Sequence, residues 1–335
     1  MTKIGIFGDV HLTKRMGAFQ QQWNDSAIKT FEYMYQKFEE ECVDYVVCLG
    51  DFFDKSVLEA RSVSLVTSIL KIINSCKFST KFLLGNHEID SDEHNILEFL
   101  HEYENIDPIT QLRVTTDSVY VPYLFDIEQI AQMNPDWCKG KYVFTHHDIY
   151  GSLLASGKVK ASFGVNPSLF ELSRKTFNGH VHTPSTLGKV QNVGSILKSQ
   201  QGEMAYDNRP EFYILDLETG LQSSYKNPYS LLYMSVPYEQ LSLLPLTEEE
   251  KSRTVLRVDC KSSEDVGEVP DGFLHVVMKL SAKHQTLETT DTLQNTNVDL
   301  KEFIARYIQK DETILPEQKS VMINLGIQLL EGGSV

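Results

Sequence analysis

The fold is indicated most clearly by two segments, Lys3–His11 (KIGIFGDVH) and Tyr45–Asp51 (YVVCLGD). Each joins a short run of apolar, mostly β-branched or aromatic residues to a glycine and an aspartate, which is typical of a buried strand ending in a polar turn. Three further runs end in the same way. They are Lys81–Leu84 before Gly85-Asn86-His87-Glu88, Tyr142–Phe144 before Thr145-His146-His147-Asp148, and Lys175–Phe177 before Asn178-Gly179-His180-Val181-His182.

The segments between these runs have helical spacing. Apolar residues recur at steps of three and four in Asp25–Cys42, Leu58–Cys76 and Asp92–Tyr103. Alternation of strands with helices predicts an α/β fold. In open α/β sheets the ligand site lies at the carboxyl ends of the strands, which is where all five polar clusters fall.

Composition restricts the class of protein. The chain has 335 residues, a formal net charge of −15 and no apolar run long enough to cross a membrane. Its first residues enter a strand at once, so we expect no signal peptide and a cytoplasmic protein. The negative net charge disfavours a protein that coats nucleic acid by electrostatics alone. Bound cations or a basic partner can nevertheless make the surface potential positive locally. The five cysteines are scattered, which predicts free thiols: Cys42, Cys48, Cys76, Cys138 and Cys260.

The polar clusters together supply a mixed set of oxygen and imidazole ligands. Two divalent cations that share one carboxylate need such a set, with the cations roughly 3.5–4 Å apart. An isolated Gly-Asp pair is usually a turn, and an isolated histidine at a strand end is usually structural. Five clusters, each behind an apolar run, favour a metal centre instead. The candidate ligands are Asp9, His11, Asp51, Asn86, His146, His180 and His182.

These motifs resemble the calcineurin-like metallophosphoesterase superfamily over roughly residues 1–220. The resemblance implies a four-layer α-β-β-α sandwich and two divalent cations, with Mn²⁺ the expected ion. It implies that Asp9, His11, Asp51 and His182 hold one cation and that Asp51, Asn86, His146 and His180 hold the other. It also implies that His87 is the catalytic acid. His147 is the alternative to His146, and we favour His146 because the superfamily's ligand histidine follows the strand directly.

The substrate is the next question, because the fold fixes the reaction and not the target. The protein Ser/Thr phosphatases have an arginine where Leu84 stands, which weakens that interpretation. Gly50–Asp54 and Asn192–Ser195 resemble segments of the SbcD-type nuclease subunits. The tail, which is the part of the chain after residue 228, resembles that of the tailed-phage members of this group, the recombination endonuclease subunits. The resemblance implies a DNA exonuclease and endonuclease. One alternative is a phosphodiesterase or phosphomonoesterase that acts on small molecules, and the presence of the tail argues against it. The other is a non-enzymatic scaffold, and the intact ligand set argues against that.

The pattern changes after about Gly188. Val190–Val193, Glu211–Leu217 and Leu231–Val236 are predicted strands of a second sheet and an edge extension, and Thr254–Val258 and Phe273–Leu280 those of a small unit. With the resemblance, the predicted organisation is a nuclease domain (1–228), an α/β capping domain (229–284), a linker (285–297) and a helical ATPase-binding segment (298–331).

The resemblance also implies partners. We expect a homodimer, encoded by a phage in a bacterial cell, that acts on DNA with an SMC-like coiled-coil ATPase in end processing, recombination or repair. Candidate DNA contacts are Lys14, Arg15, Lys158 and Lys160. A C-terminal apolar stripe predicts the ATPase contact, although such a stripe can also pack on the chain's own body. It comprises Leu300, Phe303, Ile304 and Tyr307.

Overall fold

The computed structural model describes residues 2–14, 16–91, 94–154, 159–198, 210–261 and 271–280. All of them fall in the first of the two units into which the chain divides, Met1–Ser281; the second, Ala282–Val335, contains no described residue. In the described part of the chain, no helix is long and apolar enough to cross a membrane.

The described elements are short strands and a few helices. The strands are β1 (Lys3–Phe7), β2 (Tyr45–Cys48), β3 (Ser79–Leu83), β4 (Ile89–Ser91), β5 (His94–Asn95), β6 (Ile106–Ile109), β7 (Arg113–Val114), β8 (Ser118–Val121), β9 (Tyr142–Thr145), β10 (Leu153–Leu154), β11 (Val159–Lys160), β12 (Lys175–Asn178), β13 (Ser185–Leu187), β14 (Val190–Asn192), β15 (Glu211–Asp216), β16 (Gln222–Lys226), β17 (Leu232–Pro237), β18 (Thr254–Cys260) and β19 (His275–Leu280). The α-helices are α1 (Gln20–Glu40), α2 (Val63–Asn74), α3 (Ile127–Met133) and α4 (Glu248–Lys251). The 3₁₀ helices are Gly17–Phe19, Ala60–Ser62, Ile96–Glu102, Pro167–Phe170 and Tyr238–Leu243.

Two six-stranded sheets carry the five predicted strand ends. The first has the order β16-β15-β1-β2-β3-β6, and the second the order β13-β14-β12-β9-β8-β7. Strands β1, β2, β3 and β6 are parallel, as are β8, β9, β12 and β14. The carboxyl ends of parallel neighbours lie at one edge of a sheet, so each sheet gathers its own polar clusters.

Three apolar cores separate four layers. Ile4 and Val47 of the first sheet pack against Phe144 of the second, forming the core between the sheets. On the outer face of the first sheet, α1 and α2 bury a cluster that includes Phe31. On the outer face of the second sheet, residues around Trp137 form a third core. Both faces of both sheets are therefore covered, and the predicted four-layer α-β-β-α sandwich is confirmed.

Some local predictions need correction. The spacing predicts a helix throughout Asp92–Tyr103, but its described part begins with the strand β5 and continues as a 3₁₀ helix, because the side chain of Asn95 accepts a hydrogen bond from the backbone N–H of Leu97 and starts a tight turn. Glu211–Asp216 joins the first sheet, antiparallel to β1. The predicted strand Leu231–Val236 (β17) belongs to neither large sheet, since it pairs with β18 in a three-stranded parallel sheet with its own core. The proposed domain boundaries stay predictions.

Candidate metal centre

The loops that follow β1, β2, β3, β9 and β12 bring all seven predicted ligands to one place. Asp9, His11, Asp51 and His146 are at most 3 % exposed. Carboxylates and imidazoles are rarely buried so completely unless they are hydrogen-bonded, paired or bound to a cation. Sequence order does not bring these residues together; the parallel strands do.

The backbone at the site adopts a conformation that non-glycine residues rarely adopt. Asp9, His11, Asp51 and His180 have φ angles of 52°, 49°, 49° and 66°. In the described part of the chain only one other non-glycine residue, Cys42, has a positive φ. Such strain persists when the surrounding structure imposes it, and it concentrates at functional sites. Here it turns alternate side chains just past a strand end toward one point.

Gly50 allows the second loop to approach the fourth. Its φ of +99° belongs to the left-handed region, and a Cβ there would lie 2.4 Å from His146 Nδ1. Any side chain at this position would push His146 away from Asp51. The Gly-Asp pair is thus a close-packing requirement of the site as well as a turn.

One cluster of ligand atoms comprises Asp9, His11 and His182. The two Nε2 atoms of His11 and His182 are 3.0 Å apart, and His182 Nε2 is 3.8 Å from Asp9 Oδ1. Two nitrogens that bind one cation at right angles, each at about 2.1 Å, would be about 3 Å apart. Asp9 Oδ2 is buried with no hydrogen-bond partner, as a carboxylate oxygen reserved for a cation would be.

A second cluster comprises Asp51, His146 and His180, with Asn86 beside it. Asn86 Oδ1 is 3.1 Å from His146 Nε2 and 2.9 Å from His180 Nδ1. Asp51 Oδ2 is 3.3 Å from His146 Nε2 and 3.7 Å from His11 Nε2, so this one oxygen borders both clusters. The residues present therefore fit two divalent cations with mixed nitrogen and oxygen ligands and one shared carboxylate.

Hydrogen bonds distinguish His146 from His147. His146 Nδ1 lies 2.6 Å from the carbonyl oxygen of Leu49, so it donates there and leaves Nε2 facing the cluster. His147 Nδ1 pairs with the Thr145 hydroxyl at 2.6 Å, and its Nε2 donates to the Phe125 carbonyl oxygen at 2.9 Å. Both ring nitrogens of His147 thus face away from the candidate ligands. Burial lowers the pKa of His147 to about 4, which keeps the ring neutral.

His87 has the orientation that an acid needs. Its Nδ1 donates to the carbonyl oxygen of Asp54 at 2.8 Å, which directs Nε2 toward the centre, 3.9 Å from Asp51 Oδ2. The side chain is 40 % exposed, so a substrate can reach it. His87 Nε2 is also close enough to His11 and Asp51 to form a third possible ligand group.

Two carboxylates lie behind ligand histidines, and one of them is hydrogen-bonded to its ring. Asp148 Oδ1 accepts from His180 Nε2 at 3.0 Å, and Asp54 Oδ1 is 3.4 Å from His11 Nδ1. A histidine whose far nitrogen faces a carboxylate has a fixed tautomer and is a better ligand. The hydrogen bond from His180 lowers the pKa of Asp148, which keeps it ionised. The hydrogen bond makes Asp148 an orienting group, and Asp54 lies within ion-pair distance of His11.

Glu88 is a site residue to which the motifs assign no role. Its carboxylate is fully buried and accepts from the backbone N–H groups of Asp51 (3.1 Å), Phe53 (3.0 Å) and Gly85 (2.8 Å). It therefore holds the loop that carries Asp51 against the loop that carries Asn86. Burial, followed by the negative charge of Asp51, raises the pKa of Glu88 to about 8. Its place next to His87 in the third polar cluster of the sequence is the only sequence signal for it.

Opposite charges hold the shared aspartate ionised. Burial by itself would raise the pKa of Asp51, but the charges of His146, His11 and His87 outweigh it and the pKa falls. Burial likewise opposes protonation of His146, yet Asp51 raises the pKa of that ring to about 9. Without a cation, the proton on His146 balances the charge of Asp51, and a bound cation would replace it.

The candidate contacts for DNA and a partner are only partly described. The backbone N–H of Lys14 bonds to the carbonyl of His11 at 2.9 Å, so Lys14 borders the first cluster, and Lys160 is exposed on β11. Arg15 and Lys158 lie outside the described residues. So does the predicted ATPase-binding stripe Leu300, Phe303, Ile304 and Tyr307. These assignments stay predictions.

Comparison with known proteins identifies a family. The model of the family described as calcineurin-like phosphoesterase matches residues 2–184, more than half of the chain. A search of curated protein sequences returns no match.

Similar solved structures include an archaeal phosphodiesterase, with 15 % identity, a TM-score of 0.36, and 67 % of this chain and 99 % of that chain covered. The Pseudomonas putida nuclease MPE shares 13 % identity at a TM-score of 0.31, covering 63 % of this chain and 83 % of that one. The protein TT1561 of Thermus thermophilus shares 10 % identity at a TM-score of 0.42, covering 68 % and 99 %.

Proposed function

The chain belongs to the calcineurin-like phosphoesterase family, and we propose that it is a two-metal DNA nuclease. One observation carries the two-metal part of the proposal. Asp51 Oδ2 is 3.3 Å from a histidine nitrogen of one cluster and 3.7 Å from a histidine nitrogen of the other, so a single carboxylate can bridge two cations. We assign Asp9, His11, Asp51 and His182 to one cation, and the second set comprises Asp51, Asn86, His146 and His180.

The chain's own residues prepare the reaction. When bound, divalent cations supply Lewis acidity, which activates water and neutralises charge on a phosphodiester. Glu88 fixes the backbone of Asp51, and Asp148 fixes the ring of His180. His87 gives a proton from Nε2 to the departing alkoxide, since its Nδ1 is committed to the Asp54 carbonyl.

Features around the site favour DNA as the substrate. Gly50–Asp54 and Asn192–Ser195 resemble segments of SbcD-type nuclease subunits. Ser195 is buried and donates to the carbonyl oxygen of Asp9 at 2.6 Å, so the second of these segments supports the first-motif loop. Lys14 and Lys160 are available as phosphate contacts. We expect Mn²⁺ as the metal, a homodimer, and an SMC-like ATPase docked on the C-terminal segment, all in a cytoplasmic, phage-encoded complex for DNA end processing, recombination or repair.

The test uses the purified full chain with DNA ends, cyclic nucleotides and bis(p-nitrophenyl) phosphate as substrates. We expect Mn²⁺-dependent DNA degradation that a chelator abolishes. Asp51→Asn should reduce it by about a thousandfold or more, because both cations lose a shared charge worth several kcal/mol in the transition state. Near-wild-type turnover by this variant would refute the two-metal assignment. Much faster hydrolysis of cyclic nucleotides than of DNA would replace the nuclease with a small-molecule phosphodiesterase.

A further inference from the structure

A cavity of about 440 Å³ opens beside the second cluster of ligand atoms. Tyr123, Phe125 and Val165 form its apolar surface, and Asp126, Glu128 and Asp148 bring carboxylates to it. Its volume lies within the range of small-ligand sites in proteins. Nothing in the two-metal chemistry uses this cavity.

The cavity and the metal centre share a wall. Asp148 lines the cavity and accepts the hydrogen bond from His180 Nε2 at 3.0 Å. The ring of Tyr123 lies 5.9 Å from the ring of His147 and 6.0 Å from that of His180, centroid to centroid. A group bound in the cavity is therefore separated from a ligand histidine by a single side chain.

The backbone fixes the shape of this wall. Gly164 has a φ of +99°, and a Cβ there would lie 2.5 Å from the carbonyl oxygen of Asp148. The N–H of Val165 donates to that same oxygen at 2.8 Å, and the N–H of Tyr150 donates to the carbonyl of Val165 at 3.0 Å. Segment 164–165 can lie this close to Asp148 only because residue 164 is glycine. The cavity is thus preformed.

Charge decides what the cavity accepts. Asp126, Glu128 and Asp148 line it, and no lysine or arginine does among the described residues. Asp126 is held in place because its Oδ1 accepts from the backbone N–H groups of Glu128 (2.8 Å) and Gln129 (3.1 Å). Three carboxylates repel a phosphate, whereas they accept hydrogen bonds from amino groups. An aromatic ring beside them offers a stacking surface to a nucleobase.

We propose that this cavity binds the nucleobase of the nucleotide at the scissile phosphate, and that it prefers bases with an exocyclic amino group over thymine. The proposal rests on the nuclease function proposed above. Adenine, cytosine and guanine offer amino donors to Asp126 and Glu128, whereas thymine has no amino group and flanks its single N3–H donor with two carbonyl oxygens, which the carboxylates repel. Tyr123 supplies the stacking face.

The test uses four single-stranded oligonucleotides, each built from one kind of residue: deoxyadenosine, deoxycytidine, thymidine or an abasic residue. The rate at which the full chain with Mn²⁺ cleaves each strand is compared. The wild type should cleave the deoxyadenosine strand about tenfold faster than the abasic strand, as expected for one stacked base. Tyr123→Ala should bring that ratio close to one. Glu128→Gln should narrow the preference for deoxyadenosine over thymidine, and Glu102→Gln, an exposed glutamate of the same chain, should change neither ratio.

The ratios of these cleavage rates distinguish binding of a base by Tyr123 from mere support of the neighbouring histidines. If Tyr123 only packs against the histidines and keeps them in place, Tyr123→Ala will slow the cleavage of all strands by the same factor. The ratios will then be unchanged, which overturns the proposal. Glu128 is exposed, so its variant remains informative if Tyr123→Ala does not fold. A wild type that cleaves all four strands equally refutes the base site and leaves the nuclease function standing. A wild type that hydrolyses bis(p-nitrophenyl) phosphate but no oligonucleotide refutes the nuclease function, and the base site with it.

Discussion

Replacing Glu88 with glutamine tests whether a buried carboxylate organises the metal centre. The side chain is fully buried and accepts three backbone N–H groups, two at Oε2 and one at Oε1. Glutamine has nearly the same shape but only one oxygen. In its better orientation that oxygen keeps the bonds from Asp51 and Gly85, and its NH₂ group then faces the N–H of Phe53.

The expected loss of stability follows from these contacts. One buried donor left without an acceptor costs about 1–3 kcal/mol, and the two remaining bonds lose their charge assistance at about 1 kcal/mol each. The free energy of unfolding should therefore fall by roughly 3–5 kcal/mol, a large part of the roughly 5–15 kcal/mol typical of a folded protein. Without cations the raised pKa of Glu88, about 8, leaves the carboxyl mostly neutral at pH 7, so the lower end of the range applies there.

Urea unfolding followed by circular dichroism, with chelator and with Mn²⁺, measures this loss. Mn²⁺ affinity should fall as well, by about tenfold or more, because Glu88 holds the backbone of the shared ligand. Glu102→Gln is the matched control and should stay within about 0.5 kcal/mol of the wild type, as exposed substitutions do. If Glu88→Gln behaves like this control in both stability and Mn²⁺ affinity, Glu88 does not organise the site.

Three other variants test separate parts of the site and the tail. His87→Ala should keep both cations, measured by elemental analysis after dialysis, and lose most phosphodiester hydrolysis; loss of a cation would make His87 a ligand instead. His146→Gln should lose a cation whereas His147→Gln should retain both, because the nitrogens of His147 bond to Thr145 and to a backbone carbonyl; the reverse result would exchange their roles. Truncation near residue 290, or Phe303→Glu alone, should leave basal Mn²⁺ nuclease activity unchanged and abolish binding to the ATPase, which a pull-down measures; an unfolded nuclease domain would show that the segment belongs to the chain's own core.

The sequence predicts the sandwich because its signals are local. Short apolar runs with polar residues directly behind them define buried strands, and parallel pairing then brings Asp9, Asp51 and His146 to one place. The choice of His146 over His147 as a ligand also rests on a local signal, its place directly behind the apolar strand. The hydrogen bonds of the two rings favour the same choice.

Features that depend on distant contacts could not be predicted. Glu88 accepts hydrogen bonds from backbone N–H groups 35 and 37 residues away, and no pattern of side chains in the sequence predicts such bonds. The left-handed backbone at His11 and His180 likewise could not be predicted, since only a small fraction of histidines adopt it and the sequence does not show which ones do. Tyr123 lies outside every motif, and only the fold brings its ring beside the candidate ligands His180 and His146, at 6.0 and 6.3 Å between centroids.

Electron paramagnetic resonance of the Mn²⁺-loaded protein can decide whether Asp51 bridges two cations, as we claim. Titration of the metal-free chain should reach two Mn²⁺ per chain, and the spectrum should show a spin-coupled pair, because ions that share one carboxylate lie only roughly 3.5–4 Å apart. Asp51→Asn should weaken or abolish the coupled signal. A single Mn²⁺ per chain, or two ions with uncoupled spectra in the wild type, would contradict the claim.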